Sequence, residues 1–252
     1  MQLSPSLHAI GSGIVNSYLV DDAGRVTVVD AGLPGQWQEL LGELARMGRS
    51  PEDVRAVILT HGDTDHVGFA ARLRAEGGIP VHIHESDAAR ARGEVRKRAT
   101  GWGPVRIRPL AGFLLYSARR GGLRIPPVPE LVTFTDGVTL DVPGAPRVIG
   151  LPGHTPGSVA FHMPAVDAVF VGDALTTRSV LTGETGPRPA PFTLDQPRAA
   201  ASLERLADVP ARWVLPGHGD AWSDGVGEAL HRYRAANTAT QPVGSPVADS
   251  AP

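Results

Sequence analysis

Thr60-His61-Gly62-Asp63-Thr64-Asp65-His66 sets two histidines and two aspartates within six residues, directly after the apolar run 54–59 and directly before a helix-compatible run, 67–76. A strand ending in such a turn puts polar side chains at the edge of a sheet, where a rigid scaffold can gather them. In a turning segment, side chains at i and i+2 point the same way, so His61 and Asp63 can grip one ion while Asp65 and His66 face another. At a helix start, Asp65 also lies where the helix dipole favours an anion. The alternative for the same acids is plain capping: Asp63, Thr64 or Asp65 can serve the free amides of a helix beginning near His66.

Outward from this turn, residues 15–20 and 26–29 read as strands, the second ending at Asp30. Leu40, Leu41, Leu44 and Met47 recur at helical spacing, with Gly48 and Pro51 as the stop. Gly77-Gly78 ends the helix 67–76, and 80–83 adds another strand. Asp136-Gly137 predicts a hairpin joining 131–135 to 138–142. The runs 147–151, 158–162, 168–171 and 212–215 read as strands, and 196–207 and 226–233 as helices. Alternating strands and helices predict an α/β protein. The strand tips repeat one kind of residue: Leu-Thr-His61, Leu-Pro-Gly-His154 and Leu-Pro-Gly-His218 each carry a histidine just past an apolar strand, and Asp30 and Asp173 end two others. Such tips are expected to converge on one edge of the sheets.

Composition narrows the chemistry. The 252 residues contain no cysteine and nine histidines, which removes disulfides, thiolate ligands and cysteine nucleophiles and leaves histidine and carboxylate as metal donors. The first twenty residues hold no Lys or Arg, and no segment approaches the roughly 20 apolar residues that span a bilayer. A cytoplasmic protein without a membrane span is expected. Residues 1–234 read as one domain; 235–252, rich in Ala, Thr, Pro and Ser without periodicity, reads as a disordered tail. There is no Gly-x-Ser-x-Gly elbow and no Walker or dinucleotide glycine motif.

Taken in order, His61, Asp63, Asp65, His66, His154, Asp173 and His218, in the contexts Val-Val-Asp30-Ala-Gly, Leu-Pro-Gly-His154-Thr-Pro-Gly-Ser, Val-Gly-Asp173-Ala-Leu and Leu-Pro-Gly-His218-Gly, resemble the metallo-β-lactamase superfamily over roughly residues 7–233. The resemblance implies a four-layer αββα sandwich and two divalent metal ions: one held by His61, Asp63 and His154, the other by Asp65, His66 and His218, with Asp173 bridging. Asp63 departs from the family pattern, standing where a second histidine is usual. Zinc is the first expectation, but a carboxylate is a harder donor than imidazole, so Mn or Fe gains ground, and a crippled first site is the bland alternative. Asp30 is expected to orient a metal-bound histidine, with a simple turn acid as its alternative. His8, His82, His84, His162 and His231 read as packed, capping or solvated.

The implied reaction is hydrolysis, because a dinuclear site can bring the pKa of a bound water toward roughly 7, with Asp65 orienting the water or taking its proton. Ester, lactone, thioester and phosphodiester substrates all fit. Antibiotic hydrolysis is disfavoured, since the best known β-lactamases of this fold place a cysteine where Asp173 stands. A glutathione thioesterase is disfavoured too, because only 34 residues follow His218. Residues 88–129 break the strand and helix pattern and read as an insertion; ten cations, Arg96, Lys97 and Arg98 among them, face one acid, Glu94, within 88–125, while the remainder holds 14 cations and 25 acids. So uneven a split points to something anionic: an acid or phosphate of a small-molecule substrate, RNA, a lipid head group, or the acidic body of the same protein. The apolar residues Trp102, Phe113, Leu114, Leu115 and Tyr116 offer a roof for the site or a homodimer contact. A nuclease using the insertion as a backbone clamp, and a non-catalytic metal-binding protein, are the rival readings; no recognised nucleic-acid-binding motif supports the first.

Overall fold

In the computed structural model, which describes residues 1–95 and 104–240, consecutive halves of the chain build two sheets. The first half supplies β1 (Gln2–Ser4), β2 (Leu7–Ile10), β3 (Ser17–Asp22), β4 (Arg25–Val29), α1 (Trp37–Arg46), β5 (Val54–Ile58), α2 (Ala70–Gly77), β6 (Val81–His84), α3 (Ala88–Ala91), α4 (Ile107–Arg119) and β7 (Val132–Phe134). These seven strands lie in chain order, β1 to β4 antiparallel and β4 to β7 parallel. Parallel neighbours need a crossover, and α1 and α2 provide the first two. The second half supplies β8 (Arg147–Gly150), β9 (Val159–Met163), β10 (Ala168–Gly172), β11 (Thr176–Arg178), β12 (Thr185–Arg188), α5 (Gln196–Leu203), β13 (Trp213–Pro216) and α6 (Gly225–Thr240). Its sheet runs β13-β10-β9-β8, with β13 parallel to β10 across the α5 crossover and the other pairs antiparallel; β11 and β12 form a separate hairpin.

Side chains alternate across a strand, and that period of two sorts the core into three layers of contact. Leu19, Val26, Val28 and Val57 pack outward onto Trp37, Leu40, Leu44, Phe69 and Leu73. Their neighbours Tyr18, Val20, Val29 and Ile58 pack inward onto Phe161, Met163, Phe170 and Leu215 of the second sheet. On its far face, Ala160, Val169, Val171 and Val214 meet Leu203, Leu206, Leu230 and Tyr233. Helix, sheet, sheet and helix therefore stack as the αββα sandwich. Each fully buried aliphatic or aromatic side chain stabilises it by about 1.5–3 kcal/mol.

Asp136-Gly137 does not close a hairpin. β7 pairs in parallel with β6, whereas residues 137–140 hydrogen-bond to the second sheet: Gly137 N donates to Val148 O, Val148 N to Val138 O and Leu140 N to Pro146 O. Two open sheet edges compete for the two runs, and the turn carries the chain from one sheet to the other. The last helix continues to Thr240, past Tyr233, so its backbone hydrogen bonding outlasts the apolar periodicity by two turns. The rest of the expected tail, 241–252, lies outside the described residues. The expected insertion contains α3 and α4; Tyr116 and Phe113 of α4 pack on Ile14, Val15 and Leu33. Among the described residues three of its cations meet acids of the same chain: Arg90 with Asp63 at 3.2 Å, Arg106 with Glu184 at 3.2 Å and Arg120 with Glu39 at 2.9 Å. Arg96, Lys97, Arg98 and Trp102 lie outside the described residues.

Candidate metal centre

Asp30 follows β4, the 60–66 turn follows β5, His154 lies in the loop after β8, Asp173 caps β10 and His218 comes just after β13. β4 runs parallel to β5 and β10 to β13, so each pair delivers its tips to the same edge. All seven side chains in question meet there. His61, Asp63 and His154 place one donor atom each within 4.8 Å of one another, and so do Asp65, His66 and His218, and also His61, His66 and Asp173. Asp173 stands between the groups: Oδ1 is 3.5 Å from His66 Nε2, and Oδ2 is 3.5 Å from His154 Nε2 and 3.1 Å from His218 Nε2.

The other ring nitrogen of every histidine is anchored. Thr60 Oγ1 donates to Asp30 Oδ2, so it accepts from His61 Nδ1 at 3.0 Å. Thr193 Oγ1 donates to Ala190 O and accepts from His154 Nδ1 at 3.0 Å. His66 Nδ1 donates to Asp30 Oδ2 at 2.9 Å, and His218 Nδ1 donates to the Ile14 carbonyl. With one proton fixed on Nδ1, each imidazole aims Nε2 into the centre, where its lone pair serves a metal once any proton there is displaced. His61 Nε2, His66 Nε2 and Asp173 Oδ1 are buried and find no hydrogen-bond partner among the described residues. Buried polar atoms are normally satisfied, so this donor set fits divalent cations.

The electrostatics agree. Burial pushes His61 well below the usual imidazole range, with the neighbouring His66 adding to the effect. At His66 burial pulls the same way but Asp30 and Asp173 outweigh it and hold the ring well above that range; at His218 Asp173 does the same, raising it to about 9. Burial would raise the Asp173 carboxyl, yet His218 and His66 hold it well below the usual carboxylate range. A pocket that so favours positive charge beside Asp173 also favours a cation.

Backbone geometry keeps the centre open. Gly217 has no room for a side chain, since a Cβ would lie 2.4 Å from both Asp173 Oδ1 and His66 Cε1. Asp30 adopts φ +57°, a left-handed conformation uncommon for a side-chain-bearing residue, and is held by Thr60 N, Thr60 Oγ1 and His66. The expected orienting carboxylate is therefore in contact with His66, and through Thr60 with His61.

Two contributors escape sequence reasoning. Asp87, fully buried just past β6, accepts from Gly62 N at 2.8 Å, Thr155 Oγ1 at 2.7 Å and Gly157 N at 2.8 Å, tying the His61 turn to the His154 loop. Its signal is an acid just past an apolar strand, as at Asp30, but His84, Glu85 and Ser86 separate it from the run 80–83 and hide it. Arg90, one of the ten cations, donates from Nη1 to Asp63 Oδ1 at 3.2 Å. The remaining histidines stay apart: His8 bonds to Glu43, His162 to the Pro210 carbonyl, His84 to the amide of Ser86, His231 lies near Glu228, and His82 is half-buried on β6.

The profile of the metallo-beta-lactamase superfamily matches residues 10–218. The probable metallo-hydrolase YflN of Bacillus subtilis (strain 168) is 26% identical over 237 residues, spanning 86% of this chain and 85% of its own length. The metallo-beta-lactamase family protein TTHA1429 from Thermus thermophilus superposes with a TM-score of 0.68 at 26% identity, over 94% of this chain and 81% of its own. TTHA1623 in a di-iron-bound form superposes with a TM-score of 0.60 at 28% identity, over 90% of this chain and 97% of its own.

Proposed function

The chain belongs to the metallo-beta-lactamase superfamily, and from its place among metal-dependent hydrolases we propose a dinuclear centre acting on a small-molecule ester, lactone, thioester or phosphodiester in the cytoplasm. In this reading His61, Asp63 and His154 hold one divalent cation, Asp65, His66 and His218 the other, and Asp173 is shared. The observation that carries it is the ring of inward Nε2 atoms around the two oxygens of Asp173. Zinc is the first expectation; the carboxylate of Asp63 and the di-iron-bound form of TTHA1623 make iron and manganese the alternatives to test. When bound, such a pair of cations would acidify a water toward neutral pH and polarise a carbonyl or phosphoryl oxygen of the substrate, leaving its carbon or phosphorus open to attack.

The chain's own groups do the rest. Asp65 is the most exposed of the seven, with 21% of its side chain accessible and Oδ2 3.5 Å from His218 Nε2. With one oxygen given to the cation, the other can take a proton and pass it to solvent, as a general base requires. Asp30 and Thr60 keep His66 and His61 in the ligating tautomer. Phe113 of α4 sets its ring edge-on to His218, centroids 6.3 Å apart, and covers that side of the centre with an apolar surface. The Arg-rich segment around α4 supports an anionic substrate as the preferred class.

Metal analysis of protein purified in chelator and reloaded, followed by a panel of the four substrate classes with charged and neutral members, tests the reading. Two equivalents and metal-dependent turnover of one class are expected. One equivalent at saturation, unchanged by Asp63→Ala, would remove the first position.

A further inference from the structure

Asp63 divides its two oxygens between different tasks. Oδ2 faces inward, 3.2 Å from His154 Nε2 and 3.7 Å from His61 Nε2. Oδ1 turns away and accepts from Arg90 Nη1 at 3.2 Å. Both side chains are withdrawn from solvent, Arg90 10% and Asp63 12% exposed, so the pair is only weakly screened by water. Helix α3 makes the arrangement possible. Asp87 at its N-terminal edge and Arg90 lie three residues apart, one helical turn, and both face the 61–63 turn. Asp87 holds the backbone there through Gly62 N, and Arg90 holds the side chain. Gly62 lets the helix come this close, since a Cβ there would lie 2.9 Å from Asp87 O and 3.0 Å from Arg90 Cβ.

We infer that Arg90 is a positioning residue for the first metal position, making Asp63 behave as a histidine would: one inward donor atom and no net charge. A neutral imidazole offers a cation one lone pair. A free carboxylate offers two oxygens and a negative charge, which favours bidentate binding and harder ions. A guanidinium is always charged, and its N–H donors lie in a rigid plane. Committing one of them to Oδ1 leaves only Oδ2 for the metal and offsets the extra charge. The first position thereby keeps affinity for zinc despite its carboxylate. This role rests on the proposed ligand set of Asp63, His61 and His154.

Chelator-stripped wild type, Arg90→Gln, Arg90→Lys, Asp63→Ala, Asp63→His and Asp63→His/Arg90→Gln are titrated with Zn²⁺ and Mn²⁺ against a competing chromophoric chelator. In Arg90→Gln, one of two equivalents should weaken by about 10- to 100-fold, the usual effect of losing a partner that orients a ligand. Its preference for zinc over manganese should fall, and Arg90→Lys, which keeps the charge, should restore part of the affinity. In the Asp63→His background the same Arg90→Gln change should alter neither equivalent, because no carboxylate remains to be held. The second equivalent serves as the control for correct folding in every variant. Equal losses from Arg90→Gln in both backgrounds would assign Arg90 to the fold alone and overturn the inference, as would no loss in either. If Asp63→Ala loses one equivalent while Arg90→Gln loses none, the dinuclear reading stands and only the role of Arg90 falls. If Asp63→Ala retains both equivalents, Asp63 is no ligand, and this inference falls with that assignment.

Discussion

Replacing Asp87 by Ala should destabilise the metal-free protein far more than an ordinary surface substitution does. The carboxylate accepts from two buried backbone amides, Gly62 N and Gly157 N, each at 2.8 Å. Its third donor, Thr155 Oγ1, keeps a partner in Ser158 Oγ at 2.8 Å after the change. Two orphaned amides at about 1–3 kcal/mol each give a loss of about 2–6 kcal/mol. That is a large part of the about 5–15 kcal/mol that holds a typical domain together. Asp87→Asn keeps one acceptor oxygen and should lose roughly half as much. Because the two amides belong to the His61 turn and the His154 loop, metal affinity should fall with stability, by about tenfold or more. Urea unfolding followed by far-ultraviolet circular dichroism in chelator, with and without Zn²⁺ added back, measures both. An Asp87→Ala protein within about 0.5 kcal/mol of wild type, the range of an ordinary surface substitution, would refute the clamp.

Three further outcomes are expected. Asp65→Asn should weaken the second metal position and, with that position saturated, still turn over substrate about 10² to 10⁴ times more slowly; undiminished turnover would take Asp65 out of proton transfer. Burial pushes the Glu43 carboxyl up, but hydrogen bonds from His8, the N-terminal ammonium and Arg46 outweigh it and hold it below its ordinary 4.5. A folded value below the unfolded one stabilises above pH 4.5 and loses that contribution as pH falls through the folded value. Glu43→Gln should therefore lower Tm at pH 7 and approach wild type in acid; a gap that widens on acidification contradicts the sign. Phe161→Ala, which empties a site between the two sheets beside Phe134 and Phe170, should cost about 3–5 kcal/mol in chemical unfolding while metal stoichiometry stays unchanged.

The strands and helices that carry the centre were legible in the sequence because their apolar residues repeat with the periods of the structures they form. Leu19, Val26, Val28 and Val57 alternate with Tyr18, Val20, Val29 and Ile58, and the structure places the two sets on opposite faces of one sheet. The polar tips were legible for a related reason: His61, His154, Asp173 and His218 each follow an apolar strand, and a parallel pair must end its strands on one edge. Pairing was not written locally. Residues 131–135 and 138–142 flank a good turn, yet each bonds to a different sheet, because hydrogen-bond partners are chosen among all open edges and not only the nearest.

The amino-acid sequence by itself thus determined the alternating layers, the family motif and the seven residues that meet at the edge, since local periodicity and ordered motifs need no knowledge of neighbours in space. Only the tertiary structure decided that Asp87 joins two loops, 25 residues from Gly62 and 70 from Gly157, and that Arg90 faces Asp63 across 27 residues. Within the chain these are one more acid and one more of ten cations. Burial gives them their roles: away from water, a backbone amide or a carboxylate must find its partner inside the protein, and which residue supplies it depends on the packing of α3 against the 61–63 turn.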